Sequence, residues 1–497
     1  MAGVRRWIRG IEGVVLGCES GCGHEDLDDY EAGPFALRGT EECGRRGALL
    51  SLIASGAVGV EERVAGPLPY VDEPAVMQAI GELADRTALA LPKFKVDAKS
   101  DIYGCQTNGP VTRGYTMRMA YAPERQTALY HGGDHQTIRS NDVWEYHLGS
   151  NTWHMIFEPD GGNHGPMKDV LLFLARRLRA NPDDALTKEE RKRFEEVRPW
   201  WKANVILKDG HFTTTHGGPI LPVHTWDTLV YEPNRRVMIH GTGASPTDSA
   251  VLESLYSGVP LAEVDRKIDK SYSSIWMFDP DKKQWIIHKR PKTVAMPDME
   301  GMGATMCYIP ELKRVIYYVA AQNVSPHAYA MWSWDVVSNE WTELKPNGGK
   351  SIDTLVLRDK VAPTEEQQTA YSPKHKTMVA VIGTSTFAYH VLKNEWSRLN
   401  DSVPMECHDA KTMFAYDSVS DVFLLTDGNK EGRVAVFSLE TNQWELVTPS
   451  GDGCPPSDYG AGKYWAQPKG YFDPRLNVLV VHGGMTDRVW VYRHRRG

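Results

Sequence analysis

One phrase returns six times along the chain: an aromatic residue nine and/or seven positions before a tryptophan, with a tight polar turn between. The copies are Trp144/Tyr146 before Trp153, Trp276/Phe278 before Trp285, Trp332/Trp334 before Trp341, Phe387/Tyr389 before Trp396 and Phe437 before Trp444. The sixth, Trp490/Tyr492, reaches the last residue before a closing tryptophan. A fixed phrase at intervals of roughly 50 residues marks a repeat architecture.

A second phrase precedes each copy. An aromatic residue, usually two before a proline, opens a short turn: Tyr121 and Pro123, Tyr231 and Pro233, Tyr308 and Pro310, Tyr371 and Pro373, Phe472 and Pro474, with Tyr416 and Ser418 as the variant. Short β-branched runs follow, such as Met378 to Ile382, Val422 to Leu425 and Val478 to Val481, and such runs between turn residues read as strands. Several end in glycine: Gly132-Gly133, Gly241, Gly383, Gly428 and Gly483-Gly484. The turn before each closing tryptophan ends on Asn151, Lys283, Asn339, Asn394 or Asn442, and asparagine tolerates the left-handed backbone that hairpin turns need. Each unit is therefore four antiparallel strands, a to d: one blade.

This pattern resembles the kelch repeat family, through Gly132-Gly133, Gly483-Gly484, Tyr146, Trp153 and their spacing. The resemblance implies an all-β, six-bladed kelch-type β-propeller over residues 93–497, or seven blades if a degenerate one lies before Tyr115 or between Trp153 and His224. The repeated aromatics are read as packing between blades, since each buries a large apolar area. The last blade lacks strand d, so an upstream strand is expected to complete it. Lys93 to Val96 and Ile102-Tyr103 are the candidates. Residues 1–92 read as an N-terminal extension, partly helical or disordered, with a helix over Asp72 to Leu91 striped by Val76, Ile80, Leu83 and Ala84.

A net charge of -8 without a basic cluster argues against nucleic acid as a partner. No apolar run reaches the ~18 residues of a membrane helix, so no transmembrane segment is expected. Seven cysteines include no zinc-type pair; Cys18, Cys22, His24 and Cys43 are the nearest approach to a metal set. Arg45-Arg46 followed by the small, apolar stretch Gly47 to Gly59 reads either as a helix or, in its resemblance to a secretory signal, as export with a mature start around residue 60, which favours a periplasmic or extracellular location over a cytoplasmic one.

In kelch propellers the b–c and d–a loops open on one side, and the resemblance implies a site there. Two connections are outsized. The d–a connection from Trp153 to His224 carries a helical insertion at about 160–205, with helices Met167 to Ala180 and Lys188 to Val197, the latter opened by a Thr187/Glu190 capping box. The b–c loop of blade 2 runs from Gly241 to Ser271. Long structured loops on a rigid scaffold carry function. Histidines gather in the same stretch: His131, His135, His164, His211, His216, His224 and His240. His131 and His240, like His482, occupy strand-b positions and read as structural.

Three readings stay open for the others. His211, His216 and His224, with His135, are neutral imidazoles suited to a transition metal. One of His135, His216 and His224 could instead act as a general base toward a uronate, as in propeller-borne polysaccharide lyases. Or all are polar loop residues. The copper centre of the galactose oxidases, which share the repeat, does not map onto Cys105, Tyr103, Tyr130 and His131 residue by residue. The expected function is recognition of a carbohydrate or protein ligand, with Asp134, His164, His211 and His408 as contacts. The alternative is a carbohydrate-active enzyme, lyase or metal-dependent oxidoreductase, on the same face.

Overall fold

The computed structural model describes residues 68–101, 104–110, 113, 116–132, 140–160, 174–175, 177–181, 184–220, 225–241, 246–269, 272–291, 304–320, 329–349, 368–405, 412–426, 432–452, 468–483 and 488–497. Six antiparallel sheets make six blades. From inner to outer strand, blade 1 is Ala120–Ala122, Thr127–Tyr130, Val143–His147 and Thr152–Phe157. Blade 2 is Leu229–Glu232, Val237–His240, Tyr272–Asp279 and Gln284–Pro291. Blade 3 is Ala304–Ile309, Arg314–Ala320, Tyr329–Asp335 and Glu340–Leu344. Blade 4 is Gln368–Ser372, Thr377–Ile382, Ser385–His390 and Glu395–Asn400, and blade 5 is Met413–Asp417, Val422–Thr426, Val434–Ser438 and Gln443–Val447. Blade 6 is Lys469–Asp473, Val478–His482 and Arg488–Arg493, completed by Thr87–Lys93. Inner strands adjoin in sequence and the sixth returns to the first, so the ring closes at six with no room for a seventh.

The closing strand differs from the sequence expectation. Thr87–Lys93 pairs antiparallel with the last strand, Ala88 opposite Tyr492 and Leu89 opposite Val491. Lys95–Asp97 instead runs parallel to the outer strand of blade 1, Val96 opposite Trp153, and Ile102-Tyr103 lies outside the described residues. The helix expected over Asp72 to Leu91 stops early, as Pro74–Gly81 with Val76 and Ile80 buried. Its second half is the closing strand, because an open sheet edge offers hydrogen bonds that outweigh local helix preference.

The repeated turns explain the repeated phrases. The last residue of every a–b turn is left-handed: Gln126, Arg236, Lys313, Lys376, Asp421 and Asn477 have φ between 51° and 58°. The c–d turns repeat this at Asn151, Lys283, Asn339, Asn394 and Asn442. Carboxylates of Asp279, Asp335, Asp417 and Asp473 accept two backbone N–H groups each from the following turn, at 2.8–3.1 Å.

The c–d asparagine also bridges blades. Its Oδ1 accepts from the strand-c aromatic of its own blade: Tyr146 to Asn151 at 2.7 Å, Tyr389 to Asn394 at 2.8 Å, Trp334 to Asn339 at 3.2 Å. Its Nδ2 donates to the outer strand of the preceding blade: Asn151 to Pro92 O, Asn339 to Lys289 O, Asn442 to Leu399 O. The strand-a tyrosines form a second belt. Tyr231 donates to Glu124, Tyr371 to Glu311 at 2.6 Å, and Tyr308 accepts from Asn234 at 2.7 Å, each reaching the preceding blade's a–b turn. The closing tryptophans pack on strand-b rings of the preceding blade: Trp153 with His482 at 4.8 Å, Trp285 with His131 at 4.6 Å, Trp396 with Tyr318 at 5.3 Å. Such pairs add about 1 kcal/mol each beyond area burial.

Candidate functional site

The two outsized connections fold together. Helix Lys188–Asn204, with its Thr187/Glu190 capping box, packs with Leu174, Ala175 and Leu178 of the d–a connection and with helices Pro246–Ser257 and Leu261–Lys267 of the blade-2 b–c loop around one core. Phe194 stacks on Tyr256 at 4.8 Å, and Trp201 donates to Glu253 at 2.7 Å. A hairpin, Val205–Lys208 with His211–Thr214, joins the helices. This cap is attached through both blades 1 and 2.

His216 sits at the tip that follows this hairpin, where the cap meets the propeller. Its side chain is 72% exposed, and its Nδ1 meets Oδ1 of Asp160, whose side chain is 1% exposed. Asn141, at the head of strand c of blade 1, holds that carboxylate: its Nδ2 donates to Oδ2 at 2.7 Å and its Oδ1 accepts from the Asp160 N–H at 3.0 Å. Trp200 of the cap donates to the Asp160 carbonyl at 2.9 Å, and Trp285 of blade 2 to the Asn141 carbonyl at 3.2 Å. Blade 1, blade 2 and the cap thus converge on one buried carboxylate. Gly218 makes the approach feasible, since a Cβ there would lie 2.3 Å from Asn141 Nδ2. With Nδ1 facing Asp160 and the ring largely exposed, Nε2 is the nitrogen left to meet a ligand.

The other expected residues lie elsewhere. His211 is buried at the opposite end of the same strand, near Lys289 and Asp269; burial and then Lys289 hold its pKa below the ordinary value. Asp134, His135, His164, His224 and His408 fall outside the described residues, as do Cys18, Cys22, His24 and Cys43. Among the described residues, no three His, Cys, Asp or Glu side chains come together to hold a metal. His131, His240 and His482 are buried between blades, and burial lowers the pKa of each, that of His131 to about 3.

At the ring's centre, Arg118 reaches across the channel. It donates to Met306 O of blade 3 at 2.7 Å and to Thr369 O of blade 4, and pairs with Asp227 at 2.7 Å. Burial pushes the Asp227 carboxyl up to about 6 against the pull of Arg118 and Thr369. These contacts tie the inner edges of blades 3 and 4 to Arg118 and Asp227.

Asp160 and Asn141 carried no sequence signal of their own. The first follows strand d of blade 1 and the second precedes strand c, and neither belongs to the repeated phrase. Only the blade brings them together.

The fold defines this chain as a six-bladed β-propeller. No family model and no curated protein matches it. Among solved structures, TolB from Acinetobacter baumannii is 8% identical, with a TM-score of 0.29 over 72% of this chain and 78% of that one. A structural genomics protein of unknown function from Bacteroides thetaiotaomicron is 7% identical, with a TM-score of 0.25 over 45% of this chain and 65% of that one. Neither likeness is strong enough to carry an argument. No helix among the described residues is long and apolar enough to cross a membrane.

Proposed function

We propose that this chain is a ligand-recognition propeller of the kelch kind, which binds a carbohydrate or protein through the cap-bearing rim over blades 1 and 2. One observation carries the reading: an exposed imidazole is held at the seam of cap, blade 1 and blade 2 by a carboxylate that all three elements position. His216 is largely exposed, so burial does not account for its position. A solvent-facing group with a buried orienting partner is the arrangement expected of a contact whose direction matters. His216 presents one acceptor or, protonated, one donor toward a ligand hydroxyl or carboxylate.

The test is a glycan and peptide binding screen of the full chain beside His216→Ala and Asp160→Asn. Hits should weaken at least tenfold in both variants, the loss expected for a charge-assisted hydrogen bond. Hits that bind all three proteins equally would end the reading.

A second reading is favoured by the same Asp160–His216 pair: an acid–base enzyme acting on a bound acidic polysaccharide, with His216 as the proton acceptor and Asp160 fixing its tautomer. Release of an unsaturated uronate, detected by its absorbance and abolished by His216→Ala, would separate it from simple recognition.

A further inference from the structure

The first described residues do not trail away from the ring. They enter a slot on blade 1, remote in sequence from the cap. The Tyr70 ring lies flat on His154, with centroids 3.8 Å apart and planes 9° from parallel, and tilts over His147 at 5.5 Å. Its hydroxyl donates to Glu145 Oε2 at 2.8 Å. Two residues on, Asp72 pairs with Arg475 of blade 6 at 2.8 Å and faces His147 Nε2 at 3.4 Å. The Glu73 N–H then donates to Gly149 O at 2.8 Å. The neighbouring Val71 is 85% exposed, so apolar burial does not hold this segment down; polar and ring contacts do.

We propose that residues 68–73 are an acid-released clasp, in which Tyr70 and Asp72 cover His147 and His154 at neutral pH and lift from blade 1 when His147 takes a proton. The groups around His147 make it the trigger. Asp72 faces it from the arm, Arg475 from blade 6, His154 and Glu145 from blade 1, and Ser150 Oγ holds its Nδ1 at 2.9 Å. Burial is the largest influence and brings His147 down to about 4; Asp72 and Glu145 pull it up, and Arg475 and His154 push it down. Around His154 stand Asp97, with Oδ2 3.1 Å from Nδ1, and the Tyr70 ring. Glu145 is the acceptor for Tyr70 when the arm is down: burial pushes its carboxyl up, but Arg125, Thr127 and Tyr70 together hold it below the ordinary value.

The direction follows from linkage. With the arm lifted, His147 meets water and titrates near its ordinary 6.5; with the arm down, near 4. The open form therefore binds more protons in between. The clasp is fully closed above that window and weakens as pH falls through it, so the closed-to-open ratio drops roughly thirtyfold from pH 7.5 to pH 5. Opening would free the chain upstream of Pro74 and bare the slot, while the ring stays closed through Thr87–Lys93.

The experiment is hydrogen exchange of the full chain, followed by mass spectrometry at pH 7.5 and pH 5 and corrected for intrinsic rates. The reporter is the Glu73 amide. Its protection should fall roughly thirtyfold on acidification, with amides of Ser385–His390 in blade 4 unchanged. His147→Gln should flatten that fall. Asp72→Asn, which leaves the blade untouched, should weaken protection severalfold already at pH 7.5 and leave the acid response at least as steep. A reporter insensitive to pH in the natural chain, an undiminished response in His147→Gln, or a shallower one in Asp72→Asn would each overturn the proposal.

Discussion

Lys469 shows how far burial in this ring departs from solution chemistry. The side chain begins the inner strand of blade 6 and lies against blade 1, its Nζ 4.5 Å from the Tyr130 ring centroid and 5.5 Å from that of Trp153. It donates to Pro110 O at 3.2 Å, and among the described residues no carboxylate pairs with it. Burial, then the Arg113 guanidinium, brings its pKa down from 10.5 to about 7. A base depressed on folding leaves the unfolded chain holding more protons between those values. Stability therefore rises as pH rises from about 7 towards 10.5, on the order of 4 kcal/mol over the window. Lys469→Met should remove this rise. The difference in thermal midpoint between natural chain and variant, compared at pH 7 and pH 9.5, reads it directly. A difference that does not change with pH would mean that the amine is hydrated in solution.

Among the elements, the c–d turn is where sequence and fold correspond most closely. The asparagine two before Trp153, Trp341, Trp396 and Trp444 was legible as a left-handed turn residue, and it is one; Lys283 takes the same conformation before Trp285. The sequence could not show its second role, since the carbonyl it reaches belongs to another blade. Asn339 illustrates both. It sits at φ 60°, accepts from Trp334 and from Trp341 at 3.1 Å, and donates to Lys289 O at 2.8 Å. Asn339→Gly keeps the backbone and loses the bonds, for about 1–2 kcal/mol; Asn339→Ala adds about 1 kcal/mol of left-handed strain. Chemical denaturation should rank natural chain, Gly and Ala in that order; an alanine variant as stable as the glycine one would show that conformation contributes nothing there. The proposed site was half legible for the same reason. Histidines within an insertion stand out in a sequence, and His216 was among them. Asp160 and Asn141 meet only after blade 1 has folded, and no spacing announces a contact of that kind.

For the whole molecule, the decisive contact joins the two ends of the described chain. The aromatic repeat counts the blades, and the missing outer strand of the last one requires a donor from upstream. Which residues supply it is a question of pairing energy across the full chain length, so Ala88 to Leu91 read locally as the tail of a helix. The structure divides the upstream segment into separable parts: the clasp at 68–73, the helix Pro74–Gly81, and the closing strand Thr87–Lys93. Arg493 and Arg496 bind Leu83 O at 2.8 Å, and Arg86 forms a two-bonded pair with Glu445 of blade 5, so the strand is fixed to blades 5 and 6 independently of the clasp. A chain beginning at Pro74 should therefore keep the ring, with the near-ultraviolet signature of its tryptophans intact and a modest fall in thermal midpoint. A chain beginning at Ala98 leaves Arg488–Arg493 as a bare edge with Trp490 and Val491 beside it, and such an edge pairs with other molecules. It should aggregate or lose its cooperative transition, and adding a peptide spanning 84–97 in trans should restore solubility. If the chain from Ala98 stays monomeric with an unchanged midpoint, ring closure by this strand is not what holds the propeller together, and the burden falls on the asparagine and tyrosine belts between blades.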